Sequence, residues 1–156
     1  MNKAQDDRAG SAAIRPATAA DADWIAALAR AAYTRYVPRI GKAPAPMVAD
    51  FPALIAAGQV WCVEDQGYIV MHDHACGLHI ENVAVHPDAQ GRGLGRQMLD
   101  FAETEARRRG HASMDLYTNV HMHENLTLYP ALGWRETGRR HENGFDRVYF
   151  AKRVTP

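Results

Sequence analysis

The chain has 156 residues, and its 18 lysines and arginines are balanced by 18 aspartates and glutamates, so its formal charge at pH 7 is zero. This length fits one domain that buries a core without disulfides or metal. The charge balance disfavours a nucleic-acid partner, and no apolar run approaches the ~20 residues that cross a membrane.

The N-terminal residues are polar and lack the apolar core of a signal peptide. The two cysteines, Cys62 and Cys76, are expected to be reduced thiols in a chain without an export signal. We therefore expect a cytoplasmic protein. Residues 1–11 are predicted to be a flexible tail, and residues 12–156 a single domain.

The first predicted elements are a short strand at residues 12–15 and a helix that runs to Ala32. Thr18 and Asp21 have the spacing of a capping box, which indicates where this helix starts. A proline-rich loop follows. Then comes an apolar segment at residues 47–57, ended by a glycine.

Three strands are predicted next, at residues 59–64, 68–74 and 78–85, and a turn signal at residues 65–67 joins the first two. A helix starts at Leu94, because apolar residues recur on one helical face and a glycine stops the pattern. The remaining predictions are a strand at 113–118, a helix at 124–132, and a closing hairpin with strands at 134–139 and 147–154.

A glycine-rich turn lies between the third of these strands and the long helix. Its glycines are Gly91, Gly93 and Gly95. They permit backbone angles that other residues avoid, so successive N–H groups can converge on an anion. The following helix adds its N-terminal amides, and Arg92 and Arg96 add positive charge. The turn therefore predicts a phosphate cradle.

The spacing of the glycines in this turn limits which class of phosphate compound it is expected to bind. A nucleoside-triphosphate loop needs Lys-Ser or Lys-Thr after its last glycine, and a dinucleotide loop needs a third glycine three residues after the second. The chain has neither. It has Gln90-x-x-Gly93-x-Gly95 after an Ala-Val-x-Pro strand end, and later Leu-Tyr129-x-x-Leu-Gly-Trp134. This combination resembles the GNAT superfamily of acyl-CoA-dependent N-acyltransferases, over nearly the whole chain.

The resemblance implies an α/β fold with a central mixed, mostly antiparallel sheet flanked by helices. One pair of strands, at residues 78–85 and 113–118, should splay and hold the pantetheine arm of acetyl-CoA by its edges. The contacts implied for coenzyme A come from the backbone of the strand end and from the turn, with one asparagine beyond: Val83, Ala84, Val85, Gln90, Gly91, Arg92, Gly93, Leu94, Gly95, Arg96 and Asn125.

The same resemblance implies transfer of an acetyl group from acetyl-CoA to a primary amine by direct attack. An ammonium must lose a proton before it can attack, and the thiolate leaves more easily with a proton donor nearby. Glu81 is assigned as the base, directly or through water, and His79, two residues earlier on the same strand face, is the second choice. Tyr129 is assigned as the acid.

Each assignment has a plain structural alternative. Glu81 could be a solvated surface carboxylate, and Tyr129 a core aromatic. Many family members place an asparagine seven residues before the tyrosine, where this chain has Met122. Asn125 and Asn119 are the nearby substitutes. Asn125 is the one chosen for the coenzyme, although it could instead cap a helix.

Two pairs of histidines, His72 with His74 and His121 with His123, have the two-residue spacing that places both side chains on one face of a strand. Such a pair could contribute to a metal-binding site. No third ligand is tied to either pair by a recognised spacing, and the family chemistry needs no metal, so none is expected. Three functions stay open: an N-acyltransferase, a non-catalytic acyl-CoA-binding or regulatory module, and a small metal-dependent hydrolase.

The amine acceptor is left open as a small molecule or a peptide. The implied fold places its pocket between residues 33–51 and the last hairpin. The residues expected to line it are Tyr33, Arg35, Tyr36, Arg39 and Arg140. A homodimer that pairs through the final strands is a further hypothesis.

Overall fold

A seven-stranded sheet forms the centre of the computed structural model, which describes residues 13–155. In chain order the strands are β1 (Arg15–Pro16), β2 (Val60–Val63), β3 (Gly67–His74), β4 (Gly77–Val85), β5 (Ser113–Asn119), β6 (Arg135–Glu142) and β7 (Phe145–Arg153). Across the sheet the order is β1-β2-β3-β4-β5-β7-β6. Strands β4 and β5 are parallel, and all other neighbours are antiparallel.

The helices are α1 (Ala22–Tyr33), α2 (Val37–Ile40), α3 (Phe51–Ala56), α4 (Leu94–Arg108) and α5 (His123–Ala131). Short 3₁₀ turns lie at Ala19–Asp21, Thr34–Tyr36, Ala45–Val48 and Pro87–Ala89. The predicted fold class and element order are confirmed, although α2 was not predicted. None of these helices is long and apolar enough to span a bilayer. The predicted tail at residues 1–11 lies outside the described residues.

The predicted capping box before α1 is present. The carboxylate of Asp21 accepts a 2.7 Å hydrogen bond from the backbone N–H of Thr18. It also accepts two from the Arg15 guanidinium, at 2.8 and 2.9 Å, and one of 2.8 Å from the indole of Trp24. With a further bond of 3.2 Å from the Thr18 hydroxyl, five hydrogen bonds stabilise one buried carboxylate and fix the entry into α1.

Two apolar clusters lie on opposite sides of the sheet. Helix α4 buries its predicted apolar face, Met98, Leu99, Ala102 and Ala106, against one side, where Leu78 and Ile80 of β4 point. Helices α1 and α3 cover part of the other side, against Tyr68 and Val70 of β3. The second side lacks such cover toward the end of β3, which leaves polar residues there accessible.

Strands β4 and β5 separate after a short paired stretch. Only Leu78, His79 and Ile80 of β4 are paired with β5, opposite Met114, Asp115 and Leu116. Strand β4 continues to Val85 and β5 to Asn119, so both have unpaired edges beyond that point. A bulge marks the separation, because Val70 and Met71 of β3 pair with Asn82 and Ile80, which leaves Glu81 as the extra residue. The predicted splayed pair is therefore confirmed.

Candidate active site

A cleft of about 920 Å³ occupies the gap between β4 and β5. Its walls include residues 81–85 of β4 and residues 117–119 of β5. Toward the glycine turn, Gln90, Gly95 and Arg96 line it, and toward α5, Asn125 and Tyr129 do so. The cleft thus joins seven of the eleven predicted cofactor contacts to Glu81 and Tyr129. His79 and residues 91–94 are not among its described lining residues.

The glycine turn has the backbone geometry that its sequence predicts. Gly91 and Gly93 both have φ of 81°, and Gly93 directly precedes the first residue of α4. A Cβ added at either glycine meets nothing within 4 Å, so the space above the turn is open. Because the first N–H groups of α4 face this space without intrahelical partners, the turn fits a diphosphate.

The other residues of the turn are of three kinds. Gln90 donates a 3.2 Å hydrogen bond to the carbonyl of Val85, which ties the turn to the end of β4. The charges of Arg92 and Arg96 are accessible and can reach a phosphate. The side chain of Leu94 is buried in the core, so this residue can contact a ligand only through its backbone.

Glu81 projects from the bulge into the cleft as a hydrogen-bonded carboxylate. The phenol of Tyr117 donates a 2.6 Å hydrogen bond to Oε1, and a 2.9 Å hydrogen bond joins Oε2 to His79 Nε2. The bond from His79 lowers the pKa of Glu81 to about 2, with Tyr117 adding to the shift against the opposing effect of burial. Glu81 is therefore anionic near neutral pH.

His79 is held from both sides. Its Nδ1 bonds to Asp115 and its Nε2 to Glu81. Burial of the ring lowers the pKa of His79, but the two carboxylates outweigh burial and raise it to about 9. Asp115 also bonds to His74. The imidazolium is thus fixed between two carboxylates and has no free lone pair near neutral pH.

Asp115 and Tyr117 are site residues that the sequence analysis missed. They alternate on β5, and Asp115 lies opposite His79 in the parallel register. Their positions on a predicted strand next to the Glu81 strand were a usable signal, because alternate residues share one face of a sheet. The register that aligns them with Glu81 and His79 was not readable from the sequence.

Tyr129 is a core aromatic and a cleft residue at the same time. Its ring packs at 6.0 Å from Trp134 and 5.5 Å from Phe150, between ring centroids. No described residue hydrogen-bonds its hydroxyl. Burial raises the pKa of Tyr129 to about 12, so the phenol is protonated near neutral pH.

Asn125 is not a helix cap, so that alternative is wrong. Helix α5 has Met122 at its N-cap, and Asn125 is its third residue. The Asn125 amide donates a 3.0 Å hydrogen bond to Thr118 Oγ1, across the cleft wall from β5. Asn125 therefore lines the cleft near the end of β5.

Tyr33 makes a contact that the sequence did not predict. Its hydroxyl donates a 3.1 Å hydrogen bond to the Val83 carbonyl and accepts one of 3.0 Å from Asn82 Nδ2. A carbonyl oxygen has two lone pairs, so Val83 can still accept a bond from a ligand amide. The end of α1 is thereby fastened to the open edge of β4.

The expected acceptor-side residues are only partly in place. Tyr33, Arg35 and Tyr36 line the cleft. Arg39 and Arg140 are not among its described lining residues. Arg39 instead bonds to Glu124 through two contacts of 3.0 Å, and Arg140 stacks over Tyr149 at 4.8 Å.

The comparisons with known proteins agree with this geometry. A model of the acetyltransferase (GNAT) domain matches residues 56–136, just over half of the 156 residues. The chain therefore belongs to the GNAT acetyltransferase family. The matched span contains β4, the glycine turn, α4 and the Tyr129 segment.

One curated relative is the ribosomal protein bS18-alanine N-acetyltransferase of Escherichia coli (strain K12), which is 38% identical over 55 residues. That match covers 35% of this chain and 37% of the relative. The crystal structure of the S18-alanine enzyme from Escherichia coli aligns with a TM-score of 0.70 at 18% identity, over 94% of this chain and 96% of that one.

Two further solved structures share the fold and hold a coenzyme. PaiA N-acetyltransferase from Thermoplasma acidophilum, in complex with coenzyme A, aligns with a TM-score of 0.72 at 15% identity, over 92% of this chain and 99% of that one. YncA from Salmonella typhimurium, with its cofactor acetyl-CoA, aligns with a TM-score of 0.66 at 22% identity, over 94% of this chain and 95% of that one.

Proposed function

We propose that the protein transfers an acetyl group from acetyl-CoA to a primary amine. The observation that carries this proposal is the continuous cleft that runs from the glycine turn, along the open edge of β4, to Glu81. Membership of the GNAT family supports it independently. The reaction forms a new amide, breaks the thioester and releases coenzyme A as a thiol.

Coenzyme A would lie with its diphosphate over residues 90–96 and its pantetheine arm along β4. The N–H groups of the turn and of the start of α4 suit the diphosphate, and Arg92 and Arg96 add charge. The unpaired edge at Val83, Ala84 and Val85 suits the pantetheine amides, because a strand edge offers N–H and C=O groups in alternation. Asn125 suits the same arm from the α5 side.

Glu81 is favoured over His79 as the group that handles the amine proton. His79 has both ring nitrogens committed to carboxylates and a raised pKa. Glu81 faces the cleft with a negative charge, so it attracts the ammonium of the acceptor. Because its pKa is low, Glu81 is a weak proton acceptor, so in this proposal it passes the proton on to water. His79 then acts as a positioning residue.

Tyr129 supplies the proton for the departing thiolate in this proposal. Its hydroxyl has no competing partner among the described residues, and it lines the cleft opposite β4. The raised pKa keeps the phenol protonated, which a proton donor requires. The ring packing against Trp134 fixes where the hydroxyl points.

The acceptor class is a primary amine, either of a small molecule or at a peptide N-terminus. The Escherichia coli relative is named as acting on an alanine of a ribosomal protein, which makes an N-terminal peptide a natural first candidate. Dimerisation through the final strands stays a prediction, and β6 is the outermost strand on that side of the described sheet.

A thiol-release assay with acetyl-CoA tests the function directly. The acceptor panel contains a peptide with N-terminal alanine, a lysine peptide blocked at its N-terminus, free amino acids and polyamines. We expect amine-dependent thiol release with at least one class, and Tyr129→Phe should slow turnover by roughly two orders of magnitude. If coenzyme A raises the melting temperature while no amine is acetylated, the chain is a non-catalytic acyl-CoA-binding module instead.

A further inference from the structure

A row of histidines and carboxylates lies on the side of the sheet opposite α4. Alternation places His72 and His74 of β3, His79 and Glu81 of β4, and Asp115 of β5 on one face. The registers align them, because His72 pairs with His79 and His79 with Asp115. The structure thus supplies the third ligand that the sequence spacing lacked.

Three of these side chains have donor atoms at the spacing of a metal site. His79 Nε2 lies 2.9 Å from Glu81 Oε2, and His72 Nε2 lies 3.9 Å from the same oxygen. All three donors are within 4.8 Å of one another. A tetrahedral zinc ion with bonds of about 2.0–2.1 Å places its ligands about 3.3 Å apart, so small side-chain movements complete the site.

We propose that His72, His79 and Glu81 bind a divalent transition metal of the zinc type. Two imidazoles and one carboxylate form a set that zinc accepts, with a fourth position left open. That position faces the cleft, because His72 and Glu81 both line it. The side chains are 35%, 12% and 39% exposed for His72, His79 and Glu81, so the ion can enter from the cleft.

Asp115 supports this site from behind. It bonds to His79 Nδ1, which leaves Nε2 for the metal, as in the carboxylate–histidine–metal arrangement of many zinc sites. Asp115 is in turn bonded to His74. A second group, His74 with His79 and Asp115, also has suitable donor spacing. It is the weaker choice, because neither His74 nor Asp115 is among the described residues that line the cleft.

The metal has a consequence for catalysis that rests on the proposed function. Glu81 cannot relay the amine proton while its oxygen is bound to a cation. The ion is therefore an inhibitor of acetyl transfer and not a cofactor for it. Its binding also expels the proton that His79 shares with Glu81.

Titration calorimetry with zinc chloride on tag-free protein tests the site without relying on activity. We expect one ion per chain, a loss of affinity of roughly 100-fold in His72→Ala, and a loss of roughly 10- to 100-fold in Asp115→Asn. The matched control is the double variant His121→Ala/His123→Ala, which removes a pair with the same spacing and should bind zinc as the wild type does. Melting temperatures confirm that each variant is folded.

Several results would overturn the site. One is that the folded wild type binds no stoichiometric zinc. Others are unchanged zinc affinity in His72→Ala and a loss of zinc affinity in the His121→Ala/His123→Ala control. A fourth is a larger loss of zinc affinity in His74→Ala than in His72→Ala. The last result would move the ion to the other side of His79. None of these outcomes depends on whether an amine is acetylated, so the site and the proposed function can fail separately.

Discussion

Tyr117 and Glu81 face each other where β4 and β5 separate, and the Tyr117 phenol donates a 2.6 Å hydrogen bond to Glu81 Oε1. The contact spans the two strands at the first position where backbone pairing has ended. It holds the carboxylate at the mouth of the split and leaves its charge exposed to the cleft. Burial and the bond to Glu81 raise the pKa of Tyr117, so the phenol stays a donor.

Glu81→Gln should lower kcat/KM by roughly 10²- to 10⁴-fold, because the amide keeps the shape of the side chain and removes its capacity to take a proton. Coenzyme A affinity should be unchanged, since Glu81 lies beyond the β4 residues assigned to the pantetheine arm. Steady-state thiol release and calorimetry measure the two quantities. Equal activity in wild type and variant would show that Glu81 is a surface carboxylate without a catalytic role.

Tyr117→Phe should have a smaller effect than Glu81→Gln. It removes one hydrogen bond to a charged group, about 1.5–3 kcal/mol, which corresponds to a loss of roughly 10- to 100-fold in kcat/KM. The carboxylate remains, and its bond to His79 still orients it. A loss as large as that of Glu81→Gln would mean that Tyr117 takes part in proton transfer itself.

The sequence predicted the fold and the glycine turn better than the surroundings of Glu81. Helix α4 and the glycine turn are local features, so the apolar period from Leu94 and the glycine spacing were enough to identify them. The partners of Glu81 come from other strands. Asp115 and Tyr117 reach it only through the parallel register and the bulge, which depend on long-range pairing.

Tyr33 illustrates the same limit at greater separation. Its bond to Val83 joins the end of α1 to β4 across 50 positions of sequence. Periodicity ended the predicted helix at Ala32, just before Tyr33, and the resemblance placed Tyr33 near an acceptor pocket. No local pattern encodes which carbonyl its hydroxyl meets.

Tyr68→Phe should stabilise the protein by about 1 kcal/mol. The Tyr68 side chain is fully buried, and its hydroxyl has no hydrogen-bond partner among the described residues. A buried polar group without a partner costs about 1–3 kcal/mol, and phenylalanine keeps the edge-on packing with Phe51. Chemical denaturation measures the difference. A clear loss of stability would show that the hydroxyl does have a partner in solution.

Asp21→Asn should lower the free energy of unfolding by about 2 kcal/mol near pH 7, because the carboxylate accepts hydrogen bonds from Arg15, Thr18 and Trp24. The hydrogen-bonded ion pair with Arg15 is the main cause that lowers the pKa of Asp21 in the folded state. This stabilisation is therefore full above the unfolded-state pKa of about 3.9, and it is lost as pH falls through the lower folded-state pKa.

Denaturation of wild type and Asp21→Asn at a series of pH values from neutral to strongly acidic checks this sign. The difference in stability between them should shrink as the pH falls. A difference that stays constant or grows toward low pH would contradict the assigned role of Asp21.

The N–H groups of the turn before α4 hold the diphosphate of coenzyme A in this proposal, and two glycines offer a matched test of that central claim. Gly93 and Gly110 lie at opposite ends of α4, with φ of 81° and 80°, and a Cβ at either meets nothing within 4 Å. Alanine at such a φ costs about 1–2 kcal/mol in both places.

Calorimetric titration of coenzyme A into Gly93→Ala and Gly110→Ala, with their stabilities measured alongside, is therefore the most direct measurement. We expect both variants to be destabilised to a similar extent. Only Gly93→Ala should lose coenzyme A affinity, by about 10-fold, because its Cβ takes up open space above the turn that the diphosphate needs. Wild-type affinity in a folded Gly93→Ala, or an equal loss in both variants, would contradict the assignment of the diphosphate to this turn.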